Sequence, residues 1–144
     1  RPAVAAPPLE RGGTEMILLV EDEEAVRRLA QRVLEEYGYT VLAAENGAEA
    51  LETFEVHRGA IALVISDVVM PVMGGPELLR TLRQAGHRVR FLFTSGYMSG
   101  YMSGYLAREV EETATIPPGV PFLSKPWHVA DFLGKVRTVL DASL

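Results

Sequence analysis

Five short apolar runs constrain the fold of this chain more than any other feature of its sequence. They are MILLV (16–20), TVLAA (40–44), IALVIS (61–66), RFLFT (90–94) and VPFLS (120–124). Within each run apolar residues follow one another instead of alternating with polar ones, as in strands that are buried on both faces of a parallel sheet. The runs therefore predict five parallel strands.

Amphipathic stretches separate the runs and carry helix signals. Between Val26 and Tyr37, apolar residues recur at the spacing of one helix face, and Gly38 is placed to end that helix. Asn46 and Glu49 resemble a capping pair that opens a second helix. Further helices are predicted from Pro76 onward, over 106–112 and over 129–139.

Strands that alternate with helices imply right-handed crossovers and an α/β fold, a doubly wound sheet with helices on both faces. In such folds sites form at the carboxyl ends of the strands, near the point where the strand order reverses. Polar residues occupy those ends in this chain. They are Glu21, Asp22 and Glu23, then Ser66 and Asp67, then Thr94 and Ser95, and finally Ser124 and Lys125.

Three of these residues, Glu21, Asp22 and Asp67, are carboxylates that the fold would bring together from two strands. Packed side by side they repel one another, which raises their pKa values unless a cation neutralises them. Proteins commonly hold Mg²⁺ by one or two carboxylates together with phosphate oxygens. The sequence therefore predicts a Mg²⁺ site.

Composition narrows the classes of function. The 144 residues are enough for one domain, and the net charge of −5 disfavours a nucleic-acid partner. Cys is absent, which excludes disulfides and thiolate sites. No apolar run approaches the roughly 20 residues that span a bilayer, so we expect a cytoplasmic protein without membrane contact. Residues 1–13, rich in Pro, Ala and Gly, are interpreted as a linker and 14–144 as the domain.

Four segments carry a family resemblance: MILLVEDE, SDVVMPVMGG, LFTSGY and FLSKPW. In this order they resemble the motifs of the response-regulator receiver domain of two-component signalling. The resemblance covers nearly all of residues 14–144 and is greatest to receivers at the carboxyl end of hybrid sensor histidine kinases. It implies a flavodoxin-like sheet with the strand order 2-1-3-4-5.

The resemblance also implies roles for residues at the strand ends. Asp67 corresponds to the phosphoacceptor and Lys125 to its phosphate partner. Mg²⁺ would be bound directly by Asp22, through water by Glu21, and by Asp67 and the backbone carbonyl of Val69. The acidic pair is Glu then Asp, where the family has two Asp, a difference expected to preserve metal binding but alter its affinity.

The implied switch residues are Ser95, which would donate to the phosphoryl group, and the aromatic Phe122. The residues themselves leave two alternatives open: Thr94 rather than Ser95 faces the site, or Phe122 is only a core residue. In the family, the peptide bond that corresponds to Lys125–Pro126 is typically cis.

The function implied is a phosphorelay switch that accepts a phosphoryl group from a histidine kinase or histidine phosphotransfer domain. Such a domain is not a turnover enzyme, although it assists its own phosphorylation and dephosphorylation. Its partner surface would comprise the helix at 106–112, the fifth strand and the last helix, through which two copies could also pair.

The residues disfavour two alternative functions. An aspartate-nucleophile phosphatase of the haloacid dehalogenase type would need a second Asp where Val69 stands. A pseudo-receiver that binds partners without phosphorylation is opposed by the intact Asp22, Asp67 and Lys125.

A short repeat, SGYMSGYMSGY, occupies residues 95–105 and indicates a local duplication. We expect a mobile loop there, with regular helix beginning near Ser103. The sequence leaves open whether the repeat is a tolerated insertion or reshapes the partner surface.

Overall fold

Five parallel strands form one sheet in the computed structural model, which describes residues 12–95 and 119–143. The described elements are β1 Met16–Val20, α1 Glu24–Glu36, β2 Thr40–Ala44, α2 Gly47–Val56, β3 Ile61–Asp67, α3 Gly75–Gln84, β4 Arg90–Ser95, β5 Phe122–Ser124 and α4 Val129–Asp141. The strand order is β2-β1-β3-β4-β5, which confirms the predicted fold. Residues 1–11, the repeat beyond Ser95 and the helix predicted over 106–112 lie outside the described residues.

Three strands differ from their predicted bounds at the ends. β3 continues one residue further, to Asp67, and β4 continues to Ser95. β5 begins at Phe122 rather than at residue 120. Pro121 has no N–H to donate to a ladder, although its carbonyl accepts a hydrogen bond from the Phe93 N–H at 3.0 Å. The extensions make Asp67 and Ser95 the last residues of their strands.

Apolar side chains cover both faces of the sheet, as the runs predict. Along β1, Ile17 and Leu19 belong to one buried cluster, whereas Leu18 and Val20 belong to the other. The first cluster includes residues of α1 and α4, and the second includes residues of α2 and α3. Helices therefore pack on both faces, which leaves the strand ends to carry polar chemistry.

The helix boundaries follow the signals in the sequence. Gly38 follows α1 with a φ of 104°, a left-handed conformation that favours glycine. The Asn46 side chain accepts a hydrogen bond from the Glu49 N–H at 2.9 Å, which caps α2. Pro76 lies in the first turn of α3, where no intrahelical donor is lost. In residues 12–95 and 119–143, no helix has the length and apolar character needed to cross a membrane.

Arg137 of α4 ties the start of the described chain to the end of the last helix. Its guanidinium donates to both carboxylate oxygens of Glu15, at 3.2 and 2.7 Å, and to Asp141 at 3.1 and 2.9 Å. It also donates to the Gly12 carbonyl at 3.2 Å and to the Tyr39 hydroxyl at 3.4 Å. These hydrogen bonds raise the pKa of Arg137 and lower that of Glu15. The planar fork of an Arg suits this number of acceptors.

We expect Arg137→Ala to lower the free energy of unfolding by about 2 kcal/mol, because it removes the charged donor that these two carboxylates and the buried Tyr39 hydroxyl share. Arg137→Lys should lose less, since an ammonium keeps the charge but cannot reach all four partners. Urea denaturation measures both changes. Equal stability of Arg137→Ala and the unaltered chain would show that the contacts of Arg137 contribute nothing measurable to the free energy of unfolding.

Candidate functional site

Acidic side chains from two strands meet at the carboxyl edge of the sheet, between β1 and β3. Oxygen atoms of Glu21, Asp22 and Asp67 lie within 4.8 Å of one another. Glu21 and Asp67 are buried, with exposed fractions of 3% and 7%, whereas Asp22 is exposed. The strand order reverses at β1, so this is the position where the fold predicts a site.

Lys125, which directly follows the edge strand β5, brings a positive charge to these carboxylates. Its Nζ lies 3.0 Å from Oε1 of Glu21 and 3.1 Å from Oδ2 of Asp67. Its backbone N–H donates to the Ser95 carbonyl at 2.8 Å, which seats the residue beside the end of β4. The Lys125–Pro126 bond is cis, as the resemblance implies. The side chain therefore points into the acidic cluster.

Both carboxylate oxygens of Asp67 have a donor. The Val68 N–H donates to Oδ1 at 2.9 Å, while the Lys125 ammonium donates to Oδ2 at 3.1 Å. The Ser66 hydroxyl donates to the Asp67 backbone carbonyl at 2.8 Å. Gly75 lies against that same carbonyl, and a side chain at this glycine would collide with it. These contacts fix the Asp67 carboxylate at the strand end.

The turn after β3 folds back on the strand, and several of its carbonyls have no donor among the described residues. The Gly75 N–H donates to the Val68 carbonyl at 2.9 Å, and the Met73 N–H donates to the Pro71 carbonyl at 2.7 Å. Among the residues that the structure describes, no N–H or O–H donates to the carbonyls of Val69, Met70 and Val72. The clustered carboxylates supply the oxygen donors that a hard divalent cation prefers, so these residues fit Mg²⁺.

Burial and mutual repulsion shift the ionisation of these groups. Burial, and secondly the charge of Asp67, raise the pKa of Glu21 to about 7. Burial likewise raises the pKa of Asp67, although Lys125 opposes the shift. Burial alone would lower the pKa of Lys125, but the charges of Asp67 and Glu21 raise it above its usual value. One ammonium therefore faces two buried carboxylates that it cannot fully neutralise.

The predicted switch residues lie on the neighbouring strands. Ser95 is buried at the end of β4, in register with Ser124, and Thr94 is in register with Asp67. Thr94 also lines, together with Glu21, a cavity of about 10 Å³, which is at the lower limit of the space that one water molecule needs. Phe122 is half-buried and packs against the cluster on the α2 and α3 face. The roles of Ser95 and Phe122 therefore stay predictions.

Two residues near the site were missed by sequence reasoning. The Arg27 Nη1 donates to the Glu21 backbone carbonyl at 2.9 Å. Trp127 stacks on Phe132 of α4, with ring centroids 4.1 Å apart, and lines the same small cavity as Glu21. No motif marks Arg27, because arginine at a helix surface is ordinarily solvated. For Trp127, the sequence shows only that an aromatic residue follows Pro126, which indicates no contact with Glu21 or Phe132.

Comparisons with known proteins agree with this fold. A family model described as the response regulator receiver domain matches residues 17–137. A solved receiver domain from the hybrid histidine kinase CckA has a TM-score of 0.69 and 38% sequence identity, covering 88% of this chain and 99% of that domain. The chain belongs to the response regulator receiver domain family, which confirms the resemblance of the four motifs.

Two curated relatives show different domain contexts. The sensor kinase CckA of Brucella abortus is 40% identical over 129 residues, covering 90% of this chain and 13% of the kinase. The response regulator receiver protein CpdR of the same organism is 31% identical over 127 residues, covering 88% of this chain and 98% of that protein. The chain therefore matches a small part of the kinase and nearly all of CpdR.

Removing Lys125 is expected to destabilise the metal-free domain. Lys125→Ala leaves Glu21 and Asp67 facing each other without their shared cation, and we expect a loss of about 2 kcal/mol at neutral pH. Saturating Mg²⁺ should recover much of this loss, because a divalent cation can replace the missing charge. Thermal unfolding with and without Mg²⁺ measures both effects. Lys135→Ala in α4 is the control. An equal loss of stability in that variant would show that the loss does not come from the carboxylates of the site.

Proposed function

We propose that this chain is a phosphorelay switch that accepts a phosphoryl group on Asp67 in a Mg²⁺-dependent reaction. The observation that carries the proposal is the Lys125 ammonium, which lies 3.1 Å from Oδ2 of Asp67. Beside it, carboxylate oxygens of Glu21, Asp22 and Asp67 lie within 4.8 Å of one another. A nucleophilic carboxylate, a cation beside it and an acidic cluster fitted to a second cation are the requirements of phosphoryl transfer.

The transfer needs little covalent chemistry from the protein. An oxygen of Asp67 attacks the phosphorus of a phosphohistidine in line with the P–N bond, which breaks as the new P–O bond forms. The imidazole leaves with the electron pair of that bond and takes up a proton, and Asp67 becomes an acyl phosphate. Bound Mg²⁺ would supply positive charge to the equatorial phosphoryl oxygens. The Lys125 ammonium supplies a further positive charge beside Oδ2 of Asp67, while the Val68 N–H holds Oδ1 in place.

We assign the Mg²⁺ site to Asp22, Glu21, Asp67 and the Val69 carbonyl. The fit of these oxygen donors to a hard cation supports the assignment. Phosphorylation would then draw the hydroxyl of Ser95 towards the phosphoryl group, and Phe122 would follow to change the partner surface.

The partners we propose are a histidine kinase or a histidine phosphotransfer domain that donates the phosphoryl group. The identity to the sensor kinase CckA supports a hybrid sensor kinase as the parent protein. Pairing of two copies, the absence of nucleic-acid binding and a cytoplasmic location stay predictions. The pairing surface includes residues 106–112, which lie outside the described part of the chain.

Incubation of the chain with Mg²⁺ and acetyl phosphate, followed by intact-mass measurement, tests the proposed function. We expect one added phosphoryl group, and none when EDTA replaces Mg²⁺. Release of inorganic phosphate by turnover, without accumulation on the protein, would indicate a phosphatase. No reaction with acetyl phosphate or with a phosphorylated histidine protein would indicate a pseudo-receiver.

A further inference from the structure

We propose that Arg27 is a positioning residue for the candidate metal site, acting through the backbone of Glu21 rather than by contact with the metal or the phosphoryl group. This inference rests on the proposed function, because it assumes that Glu21 and Asp22 bind Mg²⁺. Arg27 lies in the first turn of α1, directly after the loop that carries the acidic pair.

The contact between Arg27 and the acidic loop is short and shielded from solvent. Its Nη1 lies 2.9 Å from the Glu21 carbonyl oxygen, and its side chain is only 15% exposed. Arg28, the next residue, points outward with a side chain that is 77% exposed and pairs with Glu24 at 2.7 Å. Two arginines adjacent in the sequence therefore have different environments.

Arg27 completes the hydrogen bonding of Glu21. The Glu21 N–H donates to the Ala44 carbonyl at 3.0 Å, and its carboxylate accepts from Lys125 at 3.0 Å and from the Glu23 N–H at 3.1 Å. The carbonyl oxygen of Glu21 is the remaining polar group, and Arg27 donates to it. Glu21 is thus held on its backbone and on its side chain.

The same contact orients Asp22. The carbonyl of Glu21 and the N–H of Asp22 belong to one planar peptide group, so fixing the carbonyl oxygen fixes that plane. Asp22 is exposed, and no hydrogen bond to its side chain is present among the described residues. Its carboxylate therefore depends on the loop backbone for its direction. Outer contacts of this kind hold ligands in place at metal sites.

Charge alone predicts the opposite effect of Arg27 on metal binding. A guanidinium close to a cation site repels the incoming cation, so removing it should tighten Mg²⁺ binding. Glu45 lies 3.9 Å from Arg27 and offsets part of this repulsion, although its side chain is 66% exposed. The sign of the change in affinity therefore separates a positioning role from an electrostatic one.

The test measures the dissociation constant of Mg²⁺ at pH 8 by titration with the metal alone, using the fluorescence of Trp127, the only tryptophan of the chain. Arg27→Met removes the donors and keeps the packing of the stem. We expect it to weaken Mg²⁺ binding about tenfold, as for other supporting contacts. Arg27→Lys, which can still donate to the carbonyl, should recover most of the affinity, and Arg28→Ala should change it less than about twofold.

Unchanged or tighter Mg²⁺ binding by Arg27→Met would overturn the positioning role, even if its melting temperature falls. Arg27→Lys binding as weakly as Arg27→Met would also overturn it, because the hydrogen bond would then not explain the loss. Absence of Mg²⁺ binding by the unaltered chain, checked by calorimetry, would instead refute the metal site and the role together. Thermal unfolding without Mg²⁺ shows whether each variant is folded.

Discussion

Asp67→Asn is expected to abolish phosphorylation, because an amide cannot form an acyl phosphate. The unaltered chain should take up one phosphoryl group from acetyl phosphate in the presence of Mg²⁺, and the variant should take up none. The substitution removes a buried negative charge without changing the size of the side chain, so the fold should persist. Intact-mass measurement gives the stoichiometry, and thermal unfolding verifies that the variant is folded.

Glu21 is the competing acceptor that this experiment must exclude. Its carboxylate also contacts Lys125, at 3.0 Å against 3.1 Å for Asp67, so proximity to the ammonium does not distinguish the two. Glu21→Gln is therefore the matched control, and we expect it to be phosphorylated on Asp67 more slowly than the unaltered chain. Phosphate found on another residue in Asp67→Asn, together with no phosphate on Glu21→Gln at saturating Mg²⁺, would reject Asp67 as the acceptor.

The architecture could be predicted because its signal is repeated five times along the chain. The central strands β1, β3 and β4 are buried on both faces as their runs predict, whereas the edge strands β2 and β5 are only partly buried because each has a neighbour on one side alone. The strand-end rule then places polar residues together without any knowledge of side chains. Lys125 meets Glu21 and Asp67 across separations of 104 and 58 residues. Local propensity could not place them together, but the topology of a parallel sheet does.

Details of the site could not be predicted because they depend on geometry that no residue type encodes. Arg27 and Arg28 are the same residue type at adjacent positions, and only the orientation of α1 turns one towards the Glu21 carbonyl and the other towards solvent. Val72 has a φ of 71°, a conformation that is strained for a β-branched residue. The tight turn between β3 and α3 imposes it, and the sequence there contains no signal for it.

Glu21, buried beside Asp67, is expected to make the stability of the metal-free domain fall as the pH rises. Burial and Asp67 raise the pKa of Glu21 from 4.5 to about 7, so the folded state keeps a proton that the unfolded chain has lost. The stabilisation from this group is complete below about pH 4.5 and is lost as the pH rises through about 7. Between pH 5 and pH 8 we expect a loss of about 2 to 3 kcal/mol from Glu21.

Glu21→Gln isolates this effect, because the amide cannot titrate while the other ionisable groups stay in place. Denaturant unfolding at a series of pH values should show the variant gaining stability over the unaltered chain as the pH rises. A stability difference that does not change with pH would contradict the raised pKa of Glu21. Mg²⁺ favours the ionised form of Glu21, so its affinity for the unaltered chain should increase with pH up to about 7. The proton and the metal thus compete for Glu21, and the metal should remove the pH dependence that the proton creates.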